Sequence, residues 1–188
     1  MNLAIDCFRL IKDDQSKNGI YELTVKLIQY LGNENSRRDM EHHIMVMGNT
    51  TNQCDMDVDG VSFLLMEGDP RDRISAAWWQ KWKAGAIAKK LGCDRIFFPE
   101  GRLPLLYKGR KTIMIYEGRS EKDKKLSYKL ISAARRSDHI IVIHEATRNK
   151  LIEAVPGIED RIRLLKDLGT KDRNPMELGG YWIDLFSD

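Results

Sequence analysis

A chain of 188 residues has room for one ordinary domain with a full core, or one large domain with a small appendage. With 42% hydrophobic and 31% charged residues it reads as globular, and no apolar run approaches the roughly 20 residues that cross a bilayer. A net charge of +3 is too small to argue for nucleic acid, and the widely spaced Cys7, Cys54 and Cys93, without a CxxC, read as reduced cytoplasmic thiols.

The start, MNLAIDCF, lacks the basic and long apolar regions of a signal peptide and reads as a buried first strand over residues 3–8. After a polar loop over residues 12–18, Gly19 opens a helix whose apolar positions Ile20, Leu23, Leu27, Ile28 and Leu31 share one face of a 3.6-residue period. Gly32-Asn33 is expected to end it. The strand, glycine loop and helix start leave two uses open: an anion site on free backbone N–H groups, or a simple turn.

Residues 42–47 and 61–66 read as the second and third strands. Between them Asp55, Asp57 and Asp59 lack the glutamate of a calcium loop, so a solvated loop is expected. His42 and His43 point to opposite strand faces and do not chelate one metal together. Residues 71–91 read as a helix with Ile74, Ala77, Trp78, Trp82, Ile87, Ala88 and Leu91 available for burial. Its tryptophans at helical spacing suit packing better than a ligand shelf.

Residues 94–153 then alternate short β-branched runs with amphipathic stretches, the pattern of βαβ units and a buried parallel sheet. Parallel strands deliver functional groups at their carboxyl ends. Those ends carry Pro99-Glu100-Gly101-Arg102, Tyr116-Glu117-Gly118-Arg119 and His144-Glu145. A helix expected over 123–136 sits in a segment, 119–136, with seven bases and two acids. It reads either as a solvated face or as a contact with an anionic membrane surface. One more strand is expected over 161–165. Residues 172–188 read as a short helix packing back on the domain, or as a piece whose partner surface lies elsewhere. The expected fold class is α/β, a Rossmann-like doubly wound parallel sheet flanked by helices, over residues 1–170, with 171–188 as a C-terminal tail or the start of an interdomain segment.

Several of these segments resemble, in order and spacing, the N-terminal domain of family 4 (group 1) glycosyltransferases of GT-B fold. The carriers are AIDCFRLI with NGIYELTVKLIQYLG, the tryptophan helix ending in Lys90-Leu91-Gly92-Cys93-Asp94, the Leu103-Pro104-Leu105 loop, and SYKLISAARRSDHIIVIHEATRNKLIE. The resemblance covers residues 3–165. It implies one half of a GT-B fold: the acceptor-binding domain of a nucleotide-sugar-dependent, hexosyltransferase-type enzyme in bacterial surface glycan or lipid-linked sugar synthesis. Such an enzyme works in the cytoplasm or peripherally at the inner face of the membrane. It uses the nucleotide sugar as co-substrate and needs no metal or other cofactor.

By the same resemblance Asn18 and Gly19 approach the donor phosphates, and Pro99, Glu100, Gly101, Arg102, Tyr116, Arg119, His144 and Glu145 line the acceptor side. Where the family has His-Asp-Leu, this chain has Tyr116-Glu117-Gly118. A tyrosine with its ordinary pKa of about 10 is no base at neutral pH, which leaves Glu117 to orient the acceptor hydroxyl or take its proton. The implied partners are a sugar or lipid-linked acceptor and a donor-binding domain or second subunit, because a second Rossmann-like domain of ordinary size does not fit in 188 residues. The isolated chain is then expected to be inactive. The alternative is a catalytically inactive Rossmann-like module that binds a partner protein or carbohydrate.

Overall fold

Short β-branched runs with no polar alternation suit strands buried on both faces, and they form one parallel sheet. The computed structural model describes residues 1–105, 107–116, 126–165 and 175–187, the backbone alone for 175–180. Within them lie β1 (Asn2–Asp6), β2 (His43–Gly48), β3 (Ser62–Leu65), β4 (Arg95–Phe98), β5 (Arg110–Ile115), β6 (His139–Val142) and β7 (Ile162–Leu164). Their order is β3-β2-β1-β4-β5-β6-β7, every neighbour parallel. The helices are α1 (Asn18–Arg37), α2 (Gln53–Met56), α3 (Arg73–Trp78), α4 (Ala84–Lys90), α5 (Tyr128–Arg136), α6 (Glu145–Ala154) and α7 (Pro175–Ser187). This is the Rossmann-like α/β sheet expected from the sequence.

Side chains alternate across each strand and feed two cores. Ala4, Ile96, Phe98, Ile113, Ile115, Ile140 and Val142 pack beneath α4, α5 and α6 with Ala84, Ala88, Ala133, Ala134 and Leu151. Leu3, Ile5, Phe97, Met114 and Ile141 face the opposite way, toward Leu27, Ile28 and Leu31 of α1 and Trp182, Ile183 and Phe186 of α7. Phe97 meets Phe186 at a ring separation of 5.3 Å, and Arg95 Nη1 donates to the Phe186 carbonyl. Of the two readings of the last residues, the structure therefore has the helix that packs back on the domain.

Three local expectations are corrected. Gly32 does not end α1, which runs on to Arg37. The glycine is a packing residue: a Cβ there would overlap the Asp59 carbonyl oxygen of the loop before β3. The turn that follows α1 passes through Asp39 and Met40, both at positive φ. It is held by the buried Asn35, whose amide donates to the His42 and Gly60 carbonyls at 2.8 Å and accepts from His42 N at 3.0 Å.

The 48–60 segment is not simply a solvated loop. It contains α2, and its Asn49 and Asn52 are buried. Asn52 Nδ2 donates to the Cys7 and Leu10 carbonyls at 2.8 and 2.7 Å, which ties this segment to the chain leaving β1. Asp55 pairs with Lys12 at 3.0 Å and accepts from the Tyr21 hydroxyl at 2.7 Å, and those two bonds hold its carboxyl below the ordinary range.

The third correction concerns the tryptophan helix. A π-helical turn, Trp79–Lys83, joins α3 to α4, and its extra residue rotates the buried face. Ile74, Trp78 and Trp82 are consequently 80%, 56% and 40% exposed, while Trp79 is buried at 2%. Ala88 is buried as expected, and Leu91 is exposed.

A Gly→Ala change inside an exposed helix ordinarily stabilises by up to about 1 kcal/mol. At Gly32 the sign reverses, because the new methyl meets backbone rather than solvent. Urea unfolding of Gly32→Ala is expected to show a net loss on the order of 1–3 kcal/mol, and a gain would refute the packing role.

Candidate functional site

In an open parallel sheet the crevice lies where strand order reverses, outside the carboxyl ends. Here the chain winds outward through β1, β2 and β3, then crosses to β4 on the other side of β1. The reversal therefore falls between β1 and β4, and Ile5 stands level with Phe97 across it. Residues at and just past these ends, Asp6 to Arg9 and Pro99 to Arg102, are placed at the crevice by topology alone.

Asp6 anchors this end of the sheet. Its Oδ1 accepts the Trp79 indole N–H at 2.8 Å and the Phe8 backbone N–H at 3.4 Å. Trp79 also stacks on Phe8 with ring centroids 4.3 Å apart. Asp6 keeps some exposed surface, yet most of its carboxyl's surroundings are protein. Burial pushes its pKa from 3.8 to about 7, the Trp79 hydrogen bond opposes the rise, and the Glu100 charge adds to it.

Beside it Glu100, mostly buried, accepts an ion pair from Lys17 Nζ at 2.6 Å and lies 3.8 Å from Arg9 Nε. Arg9 Nη1 donates to Gln80 Oε1 at 3.1 Å, and Lys17 Nζ reaches the Arg9 carbonyl at 3.3 Å. Together these contacts join the β1 exit, the α1 start, the π turn and the β4 turn.

A groove of about 710 Å³ opens over this edge. Its floor comes from the sheet ends and the first residues after them, Gly101, Leu103, Met114 and Ile115. One wall is α3 and the π turn, with Ala76, Ala77, Gln80 and Lys81, and the other is α5 with Lys129, Ser132, Ala133 and Arg136. Small residues on both facing helices leave the space. Gly101, at φ +65°, lets the β4 turn approach β5: a Cβ there would lie 2.9 Å from the Met114 carbonyl oxygen. Ser127 caps α5 by accepting from Leu130 N at 3.3 Å, so the helix starts at Tyr128 rather than near 123. Lys122, Lys124 and Lys125 lie outside the described residues.

The groove is strongly cationic. Among the described residues, Arg9, Arg71, Arg73, Lys81, Arg102, Lys129 and Arg136 line it, against the single carboxylate Glu100. Over the whole chain bases and acids nearly balance, 31 to 28, so this composition is local. Glu100 is already spent on Lys17 and Arg9, whereas Arg71, Arg73, Lys81, Arg102 and Lys129 carry no ion pair among the described residues.

The residues expected from sequence divide clearly. Glu100, Gly101, Arg102 and Tyr116 line the groove. Pro99 is buried beneath the β4 turn, outside the lining. Asn18 and Gly19 form the first turn of α1 and do not line the groove, although Ile20 does. A Cβ at Gly19 would overlap the Tyr116 hydroxyl, so this glycine makes room for the phenol ring.

His144 and Glu145 stand apart at the β6 end. The His144 carbonyl accepts from Thr147 and Arg148 N–H at 3.0 and 3.1 Å, and Glu145 pairs with Arg148 at 3.1 Å, both ordinary features of a helix start. Glu117 and Arg119 lie outside the described residues. No group of three His, Cys, Asp or Glu side chains that could hold a metal occurs among the described residues, and no helix among them is long and apolar enough to cross a membrane.

Sequence reading missed Asp6, Arg9, Trp79, Arg71, Arg73 and Lys81. A signal for the last two exists: Arg73, Ala77 and Lys81 recur every four residues, as Lys129, Ala133 and Arg136 do at intervals of four and three. A face of bases interleaved with alanine is what a cationic groove between two helices needs.

No protein-family model matches this sequence, and no curated protein matches it. In structure the chain is similar to a glycosyltransferase from Rickettsia africae ESF-5 known from a crystal structure, with a TM-score of 0.46 and 11% sequence identity. The match covers 98% of this chain and 50% of that one, so the chain spans about half its length. The fold assignment itself rests on strand order and direction.

Asp6 sets a pH dependence whose sign follows from its raised pKa. Between about pH 4 and 7 the unfolded chain gives up the Asp6 proton while the folded chain keeps it, so the folded state loses stability as pH rises. Asp6→Asn keeps an acceptor for Trp79 and removes the titration. In urea unfolding it should match the wild type near pH 4 and exceed it by a few kcal/mol at pH 8. Parallel curves for the two proteins would refute the shift.

Proposed function

We propose that this chain is the acceptor-binding half of a nucleotide-sugar-dependent glycosyltransferase, with the donor half supplied by another domain or subunit. The observation that carries it is the groove at the β1–β4 reversal, of a size suited to a small ligand and floored by the β4 and β5 ends. The order of sequence motifs supports the same reading. In it Glu100, Gly101, Arg102 and Tyr116 face the acceptor, and Glu117 orients the attacking hydroxyl or takes its proton. The nucleotide sugar is a co-substrate held outside this chain, and no metal is required. The reaction belongs to bacterial surface glycan or lipid-linked sugar synthesis, at the cytoplasmic side of a membrane that the basic 123–136 segment touches.

One observation favours a second reading. Among the described residues Glu100 is the one acid in the groove lining, and it is engaged by Lys17 and Arg9 rather than standing unpaired. A Rossmann-like module that binds a carbohydrate or partner protein without catalysis needs no such base.

With labelled nucleotide sugars and a panel of neutral mono- and disaccharides, the chain alone is expected to transfer nothing. The saccharides should shift the NMR resonances of Gly101, Met114 and Tyr116. Robust transfer by these 188 residues sinks the missing-half reading, and shifts confined to residues outside the groove sink the acceptor reading. Saccharide binding that never yields product when donor-domain partners are supplied favours the non-catalytic module.

A further inference from the structure

Resting on the acceptor reading, we propose that the ligand of this groove carries phosphate, as a phosphomonoester or diphosphate ester, and that the two rims of the groove hold its phosphoryl oxygens. The argument begins with charge placement. Like charges repel, so several bases gathered about one cavity of about 710 Å³ are stable together only at some electrostatic cost, unless acids or a bound anion offset them. Among the described residues acids offset them little: Glu100 pairs with Lys17 and Arg9, and Asp72 spends its carboxylate capping α3 at Ser75 N, 2.7 Å away. Arg73 on α3, Lys81 on the π turn, and Lys129 on α5 line the groove without ion pairs among the described residues.

Geometry narrows the class of anion. Arg136 is steadied by its Nη1 bond to the Pro104 carbonyl at 3.2 Å, and Arg9 by its bond to Gln80 at 3.1 Å, while Arg9 Nε is enclosed with no hydrogen-bond acceptor. Guanidinium groups match the paired oxygens of a phosphoryl group, and lysines add charge without fixing orientation. The cations come from opposite helices, so an anion with several oxygens spread over one or two phosphorus centres engages both rims better than a single carboxylate does. The apolar lining between them, Ala77 and Ala133 of the walls with Leu103 and Met114 of the floor, suits the uncharged remainder of the ligand. The shared chemistry is a phosphate ester, whether free in solution or at a lipid surface.

The test uses the full chain and calorimetric titration with inorganic pyrophosphate, glucose 1-phosphate and glucose. Both phosphates should bind saturably and more weakly as salt rises, and glucose 1-phosphate should bind at least about tenfold tighter than glucose. Arg73→Gln with Lys81→Gln, and separately Lys129→Gln with Arg136→Gln, should each weaken pyrophosphate about tenfold or more. Lys26→Gln with Lys89→Gln removes the same charge outside the groove and should leave binding unchanged. Phosphatidylglycerol vesicles provide the lipid arm: displacement of the chain from them by pyrophosphate assigns a lipid phosphate to the groove, and no vesicle binding assigns a soluble one.

Absence of pyrophosphate binding by the folded protein, equal losses in the groove and control pairs, or equal affinity for glucose and its phosphate overturns the proposal. The acceptor reading is tested apart from it. Neutral saccharides that shift groove resonances while pyrophosphate does not bind leave that reading and remove this one. Pyrophosphate binding without any response to saccharides does the reverse.

Discussion

The Trp79 indole hydrogen bond to Asp6, with the stacking of Trp79 on Phe8, fixes how the tryptophan helix meets the first strand. An indole buried at this depth needs an acceptor for its N–H, and the Asp6 carboxyl group at the strand end supplies one. The π turn is the backbone device that brings Trp79, rather than Trp78 or Trp82, to that position. Once Trp79 is inward, the remaining faces of the helix follow: Ala76 and Ala77 form a groove wall, Arg73 and Lys81 stand on its rim, and Trp78 is left in solvent. The site is therefore a consequence of one buried polar contact and one extra residue in a helical turn.

Around this contact the sheet's carboxyl edge is a compact charge network. Asp6 is raised by burial, Glu100 is held by Lys17 and Arg9, and Arg9 is held in turn by Gln80. Four chain segments far apart in sequence share it, so losing one member leaves another buried charge uncompensated. The network also neutralises Glu100, the one acid of the groove among the described residues, which leaves the surrounding bases to set the field there. In this way a nearly neutral chain obtains a cationic groove without a cationic surface overall.

Much of this was legible before any coordinates. The largely apolar runs at 3–8 and 42–47, and the short β-branched runs within 94–153, are strands because a parallel sheet buries both of their faces. The alternation of strand and amphipathic helix gave the winding, and parallel topology pointed to Glu100, Gly101, Arg102 and Tyr116 at the carboxyl edge. Gly32 was misread because a glycine that ends a helix and a glycine that admits a neighbouring backbone look alike in one dimension. Asn18, Gly19, His144 and Glu145 stand at helix starts, which are explained by their own capping needs as readily as by a ligand.

The sequence by itself determined the local periods: which residues alternate in strands, which recur at 3.6 in helices, and hence the α/β class and the edge where functional groups gather. Only the tertiary structure decided which edge residues share a cavity. Arg9, Arg73, Lys81, Lys129 and Arg136 come from three stretches of chain, and nothing in their local spacing specifies that the helices bearing them face each other. That depends on packing against the sheet, on the π turn that rotates one helix, and on the Asp6–Trp79 bond that holds the rotation. These contacts join residues 73 positions apart, and a one-dimensional pattern carries no distance between them.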